Sequence, residues 1–307
     1  MNNKTLAIIF TALVGAFLLS KMFGSNKSRS FEPNILSLNS DDITEILVQA
    51  PGESTSTLSQ TDGMWMVSNG DQTYQANQNV ASSMLKEISK IEADKVISRS
   101  AENAVKYGTD EDSATKITAK SRGKTIGDIL VGRFSFNQQT RQPISYVRLA
   151  GQDETYLIGS FMASSLNKDF NGLRDKSLIS FDPAEVASLS YSNPTGGRTD
   201  FVLNLDHNWI TSTESVIDSA EIASYLNSIS NKSGTQFINE PTVMGGELEE
   251  ITLTLLNGES LIIRSFKMAD DRYKISSDQY ADNVFESTES AIYQQIFGRI
   301  KELLEQD

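Results

Sequence analysis

The sequence predicts an α+β protein built from duplicated modules of mainly antiparallel sheet, each with a packed helix, preceded by one N-terminal transmembrane helix. Three observations predict it. Two segments repeat one order of strand, tryptophan, helix and strand at matched spacings. Glycine turn signals join alternating apolar runs into hairpins. An uncharged apolar run stands close to the amino terminus.

That run is Thr5 to Ser20, with no charge between Lys4 and Lys21. Its 16 residues would rise about 24 Å as a helix, against a hydrocarbon core of about 30 Å. Lys21 can snorkel to the interface, which lets Met22 and Phe23 lengthen the span. A cleaved signal peptide needs a small-x-small site just after the run, and the run ends in Leu18-Leu19-Ser20. The segment therefore reads as an uncleaved signal-anchor, followed by a polar basic linker, Gly24 to Ser30. The domain organisation expected is 1–30 as anchor and linker, 31–180 as a first α+β half of two modules, and 181–307 as a second half that repeats the first.

The clearest repeat runs from Asp41 to about Ser98 and again from Ala184 to about Asn239. Each copy opens on an alternating strand, Ile43, Ile46 and Val48 in one, and Val186, Leu189 and Tyr191 in the other. Leu58 precedes Trp65 by seven residues and Val202 precedes Trp209 by seven. These are the chain's 2 tryptophans, and they read as core anchors of equivalent sheets. An amphipathic helix follows, with Val80, Met84, Ile88 and Ile91 on one face in the first copy and Ile222, Leu226 and Ile229 in the second. Asp218 and Glu221 resemble a capping box at the start of the second helix. A closing strand comes nine residues later in both, from Ile88 to Ile97 and from Ile229 to Ile238. Four matched spacings argue for duplication.

A second module pair is expected at Thr115–Leu178 and Leu248–Leu304. Each begins as a hairpin, turning at Ser121-Arg122-Gly123-Lys124 or at Leu256-Asn257-Gly258-Glu259. Each continues into a Tyr-led strand, at Tyr146 or Tyr273, and ends in a helix, the second bearing Ile292, Ile296, Ile300 and Leu303.

Charge narrows the ligands. The chain holds 27 basic and 40 acidic residues; the first 30 residues contain four of the basic ones and no acid, which leaves a body of net charge −17. Such an acidic ectodomain repels phosphate backbones, so no nucleic acid partner is expected. With 0 cysteines, disulfides, thiolate catalysis and zinc–cysteine sites are excluded.

The chemistry-bearing motifs are weak. Gly123-Lys124-Thr125 resembles the end of a phosphate loop, but Thr118 stands where the first glycine belongs and the segment lies between strands. The single histidine, His207, sits in what reads as a turn before Trp209, and no Gly-x-Ser-x-Gly elbow exists. The acid clusters Asp110-Glu111-Asp112 and Asp270-Asp271 lack calcium-loop spacing and read as solvated loops. No catalytic residue, metal ligand or cofactor is therefore expected. The segment Phe170 to Leu178 is the one unusual stretch. Phe170, Asn171, Arg174, Asp175 and Lys176 are the candidate contacts between modules or with a partner, since Arg174 can fork onto a carboxylate such as Asp175.

The run Tyr146 to Gln152, then Thr155-Tyr156-Leu157-Ile158, Phe170 to Leu178 and Phe181-Asp182-Pro183 resembles the domain-of-unknown-function family numbered 4340. Asp62-Gly63-Met64-Trp65 and Tyr107-Gly108 fit the same pattern, over about residues 40 to 240. The resemblance implies one N-terminal span in the inner membrane and an extracytoplasmic (periplasmic) body, encoded beside ABC-type permeases and gliding-associated transport proteins. The function expected is that of a non-enzymatic accessory protein that is held in the membrane by its N-terminal helix and contacts a transport or envelope protein. The alternatives are a small-molecule or glycan-binding module and a carboxylate-based hydrolase, which would need two acids facing one cleft.

Overall fold

The computed structural model describes residues 32–194, 196–203, 208–211, 216–238, 247–268 and 271–304. The expected span Thr5 to Ser20, its linker, His207 and Asp270 lie outside the described residues. Among the described residues, no helix is long and apolar enough to cross a membrane.

The chain divides into two compact units between Arg174 and Asp175. The first contains β1 (Asn34–Ser37), β2 (Glu45–Gln49), β3 (Ser56–Thr61), β4 (Met64–Asn69), β5 (Gln72–Gln75), β6 (Lys90–Glu92), β7 (Lys95–Ser98), β8 (Thr115–Ser121), β9 (Lys124–Asn137), β10 (Gln142–Leu149) and β11 (Thr155–Ile158). Nine of these make one sheet in the order β5-β4-β3-β2-β8-β9-β10-β11-β7, and β1 pairs with β6 beside it. Every pairing is antiparallel.

The second unit contains β12 (Ser177–Ser180), β13 (Val186–Asn193), β14 (Gly197–Leu203), β15 (Trp209–Thr211), β16 (Val216–Ile217), β17 (Asn231–Ser233), β18 (Gln236–Phe237), β19 (Leu248–Leu255), β20 (Ser260–Lys267), β21 (Arg272–Ser277) and β22 (Val284–Thr288). Its sheet runs β16-β15-β14-β13-β19-β20-β21-β22-β18, with β12 paired to β17. The same strand order recurs position for position. The fold is thus α+β with antiparallel sheets.

The division falls six residues before the 180/181 boundary read from the sequence, because β12 pairs with β17 and so belongs to the second unit. A second difference concerns the modules. Strand β2 of the first pattern pairs with β8 of the next, and β13 pairs with β19. Two expected module sheets therefore fuse into one nine-stranded sheet per unit.

Local chemistry explains most elements. Helix Gln78–Ser89 starts where the Asn77 carboxamide accepts the Val80 N–H at 3.0 Å, and it buries Ala81, Met84 and Ile88. Ile91, placed by its spacing on that helix face, lies on β6 and is fully buried there. Gln78 then grips the tryptophan strand: its carboxamide accepts the Trp65 N–H and donates to the Trp65 carbonyl, both at 2.9 Å. Helix Ser219–Ile229 is capped by Asp218, which accepts the Ala220 N–H at 2.8 Å. It buries Ile222, Leu226 and Ile229, with Tyr225 added to the face.

Of the two sequence hairpins, Arg122-Gly123 takes positive φ at both central residues, 48° and 80°, as the tight mirror-image turn requires. Asn257-Gly258 does not: only Gly258 has positive φ, 87°, and the Asn257 side chain accepts the Glu259 N–H at 2.9 Å instead. The last helical stretch, Glu289–Gly298 running into Arg299–Leu304, is kinked near its start at Ala291, whose φ of −99° and ψ of −134° are not helical, with wide π-type turns around the kink. It still buries Ile296, Ile300 and Leu303, while Ile292 is partly buried. Each unit closes around its own apolar core, one including Trp65 and the other Trp209.

Candidate functional site

The five residues singled out between Phe170 and Lys176 fall on both sides of the unit boundary. Phe170, Asn171 and Arg174 gather on the edge strand β5 of the first unit. The Arg174 guanidinium lies 3.6 Å from the Tyr74 ring centroid and 5.8 Å from that of Phe170, and donates to Asn171 Oδ1 at 3.3 Å. Arg174 is only 2% exposed and its backbone bridges to Ala76. A desolvated cation over an aromatic face contributes about 2 kcal/mol, so this residue fastens the end of the first unit to its own sheet. Asp175 and Lys176 serve the second unit. The Asp175 carboxylate accepts from the Ser177 N–H and hydroxyl at 3.1 and 2.8 Å, and the Lys176 carbonyl accepts the Gly234 N–H at 2.9 Å. Trp65 and Trp209 are 4% and 6% exposed and sit in the two cores.

Two other places stand out, one in each unit. In the first unit β9 runs 14 residues, and its far part forms an arm with the start of β10. Gly132 begins the exposed stretch; a Cβ there would collide with the Tyr107 carbonyl oxygen, so the loop before β8 packs close against the strand. Beyond it Phe134 and Phe136 point to one face by strand alternation, 43% and 49% exposed. Phe134 stacks on Phe161 at 5.6 Å and 17°, and Phe161 is itself 58% exposed. The tip is polar: Asn137 Oδ1 accepts the Gln139 and Thr140 N–H groups at 3.0 and 3.2 Å. A groove of about 430 Å³ opens beside Phe134, with Pro51, Thr115 and Asn167 among its walls. The Thr115 hydroxyl donates to Asn167 Oδ1 at 2.9 Å within it.

The arm also lies in the longest acid-free stretch after residue 31. No Asp or Glu occurs from Ile129 to Gln152, while Arg133, Arg141 and Arg148 do. That signal, with Phe-Ser-Phe alternation inside it, was present in the sequence and marks a surface unlike the acidic body.

In the second unit a cleft of about 380 Å³ is walled by Tyr191, Asn193, Pro194, Glu247, Glu249, Lys301 and Leu304. Its floor is a polar cluster. The Tyr191 hydroxyl donates to Glu249 Oε1 at 2.8 Å and the Tyr293 hydroxyl to Oε2 at 2.6 Å. The Lys301 ammonium lies 2.5 Å from Oε1 and donates to the Tyr293 oxygen at 2.7 Å. The Tyr293 ring is held by stacking on Tyr273 and Phe297. Burial pushes the Tyr191 and Tyr293 hydroxyls well above the ordinary tyrosine range, and Glu249 adds to this by accepting their protons in hydrogen bonds. For Lys301, burial works against the ammonium, but the hydrogen bond and charge of Glu249 outweigh it and raise the pKa. Ser265, directly across from Glu249 on β20, is 1% exposed, and its hydroxyl has no hydrogen-bond partner among the described residues.

None of these cluster residues is legible in the sequence as a site; Tyr191 reads only as a core position of an alternating strand. Glu249 lies in Glu247-Leu248-Glu249-Glu250, which reads as solvated charge, and Lys301 is 52 residues away. Among the described residues, no group of three or more His, Cys, Asp or Glu side chains is placed to hold a metal. Asp110 keeps to its own loop, where Oδ1 accepts the Asp112 and Ser113 N–H groups at 3.3 and 3.1 Å.

Comparison with known families gives one result: the family described as "Domain of unknown function (DUF4340)" matches residues 65–250, more than half of the chain and across the unit boundary. No curated protein and no solved structure matches.

Proposed function

We propose, for a chain that belongs to the domain-of-unknown-function family 4340, the role of a non-enzymatic accessory protein that is anchored in a membrane and docks on a transport or envelope protein. The observation that carries this reading is the arm of the first unit. Two exposed phenylalanines, Phe134 and Phe136, lie in the acid-free stretch Ile129 to Gln152, and Phe134 borders a groove and stacks on the exposed Phe161 beyond that stretch. Aromatic residues and arginine are the types enriched at protein interfaces, and a preformed aromatic pair has little conformational entropy left to lose. The arm tip is polar and the phenylalanines sit behind it, which suits a protein surface better than insertion into lipid. The expected anchor at Thr5 to Ser20 and the usual setting of the family beside ABC-type permeases point to a membrane partner.

A carboxylate-based hydrolase is the second reading, because Glu247 and Glu249 line one cleft. Glu249, however, accepts hydrogen bonds from two tyrosines and a lysine. It acts as acceptor in all three, so it has no proton to give as a general acid, and a nucleophilic role would require breaking the cluster.

Replacing Phe136 by a photoreactive benzoylphenylalanine in the full chain tests the docking role. Illumination of native membranes is expected to cross-link one transport or envelope protein, and the product is expected to vanish when Phe134→Ser and Phe161→Ser are added. Cross-links to lipid alone, or a product indifferent to those substitutions, would sink the proposal.

A further inference from the structure

We infer that the cleft of the second unit is a binding site for a small zwitterion of the amino-acid type, independent of the arm and of the docking role. The protons of the floor cluster decide which groups face the cleft. Both tyrosines stay neutral and donate, and Lys301 carries its charge. Glu249 is filled by three donors. Of the three Lys301 protons, one goes to Glu249 and one to the Tyr293 oxygen. The third has no partner among the described residues, and the lysine lines the cleft with its side chain 39% exposed.

The rim adds a second charge of opposite sign. Glu247 is exposed and lines the same cleft. Glu249 and Lys301 neutralise each other at the floor, so the charged groups left to meet a ligand are one ammonium N–H and the Glu247 carboxylate, with Asn193 as a neutral polar wall. A simple anion would find Lys301 but be repelled by Glu247. A simple cation would find Glu247 but leave the remaining Lys301 N–H without an acceptor. A sugar would lack an open aromatic face, since the Tyr191 wall is 1% exposed and belongs to the core. A molecule carrying both an ammonium and a carboxylate satisfies both groups, its carboxylate on Lys301 and its ammonium on Glu247. Pro194 and Leu304 supply apolar wall for a side chain. The volume of about 380 Å³ lies in the range of small-ligand sites.

Isothermal titration of the full chain in detergent tests this, with alanine, lysine and glutamate as probes and with acetate, methylamine and glucose as single-feature controls. At least one amino acid is expected to bind saturably, and each control at least tenfold more weakly. Glu247→Gln, on the exposed rim and outside the floor cluster, is expected to weaken amino-acid binding about tenfold, and Lys301→Met to abolish it. The proposal is overturned if none of the three amino acids binds, if a control binds as tightly, or if Glu247→Gln leaves the affinity unchanged. Because Glu247 takes no part in the cluster, that last measurement stands even if Lys301→Met unfolds the unit.

Discussion

Thr115 in the first unit and Glu249 in the second occupy one strand position, each four residues before the cross-strand partner of the matched Ile46 or Leu189. Around Thr115 the repeat is neutral: it meets Asn167, and Val131 lies across from it on β9. Around Glu249 it is ionic and aromatic, with Lys301, Tyr191 and Tyr293 bonded to the carboxylate and Ser265 across from it on β20. The elements that cover the position differ too. The first unit uses the short helix Met162–Leu166, and the second the stretch from Glu289 to Leu304. One backbone plan thus carries two chemistries, and the longer helical cover is what brings a lysine to the glutamate. The arm differs in the opposite sense, with 14 residues in β9 against 8 in β20.

Alkali should separate the units most. Tyr191, Tyr225, Tyr293 and Lys301 all have folded pKa values raised above their ordinary 10.0 or 10.5. A raised folded pKa gives stability that is whole below the unfolded value and is lost as pH climbs towards the folded one. The second unit should therefore unfold first as pH passes about 10. The first unit has Tyr156, raised chiefly by burial. Each unit contains one buried tryptophan, so variants with Trp65→Phe or Trp209→Phe let fluorescence follow one unit at a time. Simultaneous transitions would break the comparison.

Lys301→Met comes next. Glu249 would keep its tyrosine donors but lose its counter-charge inside a nearly buried site. The side chain of Lys301 is 39% exposed, so the ~3–5 kcal/mol typical of breaking a buried pair should shrink to about 2 kcal/mol. Urea unfolding read through Trp209 would measure it, and the Trp65 transition should not move.

Two smaller substitutions probe the same place in each repeat. Ser265→Val removes a buried hydroxyl that lacks a partner and installs the residue found at the matching position, Val131. A gain of about 1 kcal/mol in the second unit is expected, and a loss would mean that the hydroxyl has a partner after all. Thr115→Val cuts the bond to Asn167, whose exposed carboxamide can turn to water. The cost should be about 0.5 kcal/mol, visible in the Trp65 transition.

Much of the repeat was readable because its signals are local. The seven-residue step from Leu58 to Trp65 spans a single hairpin, β3 to β4, but the step from Val202 to Trp209 across β14 and β15 is one residue off: Phe201, not the exposed Val202, stands two residues before the partner of its tryptophan as the buried Leu58 does. The helix faces around Met84 and Leu226 follow the period of one helix. The fused sheets were not readable, because the β2–β8 ladder joins Ile46 to Ala119 across the whole first module, and no spacing records which of several strands will pair. Glu249 was missed for a related reason. Its neighbours in sequence are acids and a leucine, while its neighbours in space come from β13, a helix near the end of the described chain and a π-wound turn.

Periodicity and turn chemistry within some ten residues specified the hairpins, the two main amphipathic helices and their duplication, but not the small β1–β6 and β12–β17 pairs. Which hairpins share a sheet, where the chain divides, and that one glutamate in a run of acids is buried against a lysine emerge from long-range packing. Those outcomes depend on contacts between residues far apart in the chain, where burial and charge pairing are set by the covering element and leave no mark in local composition.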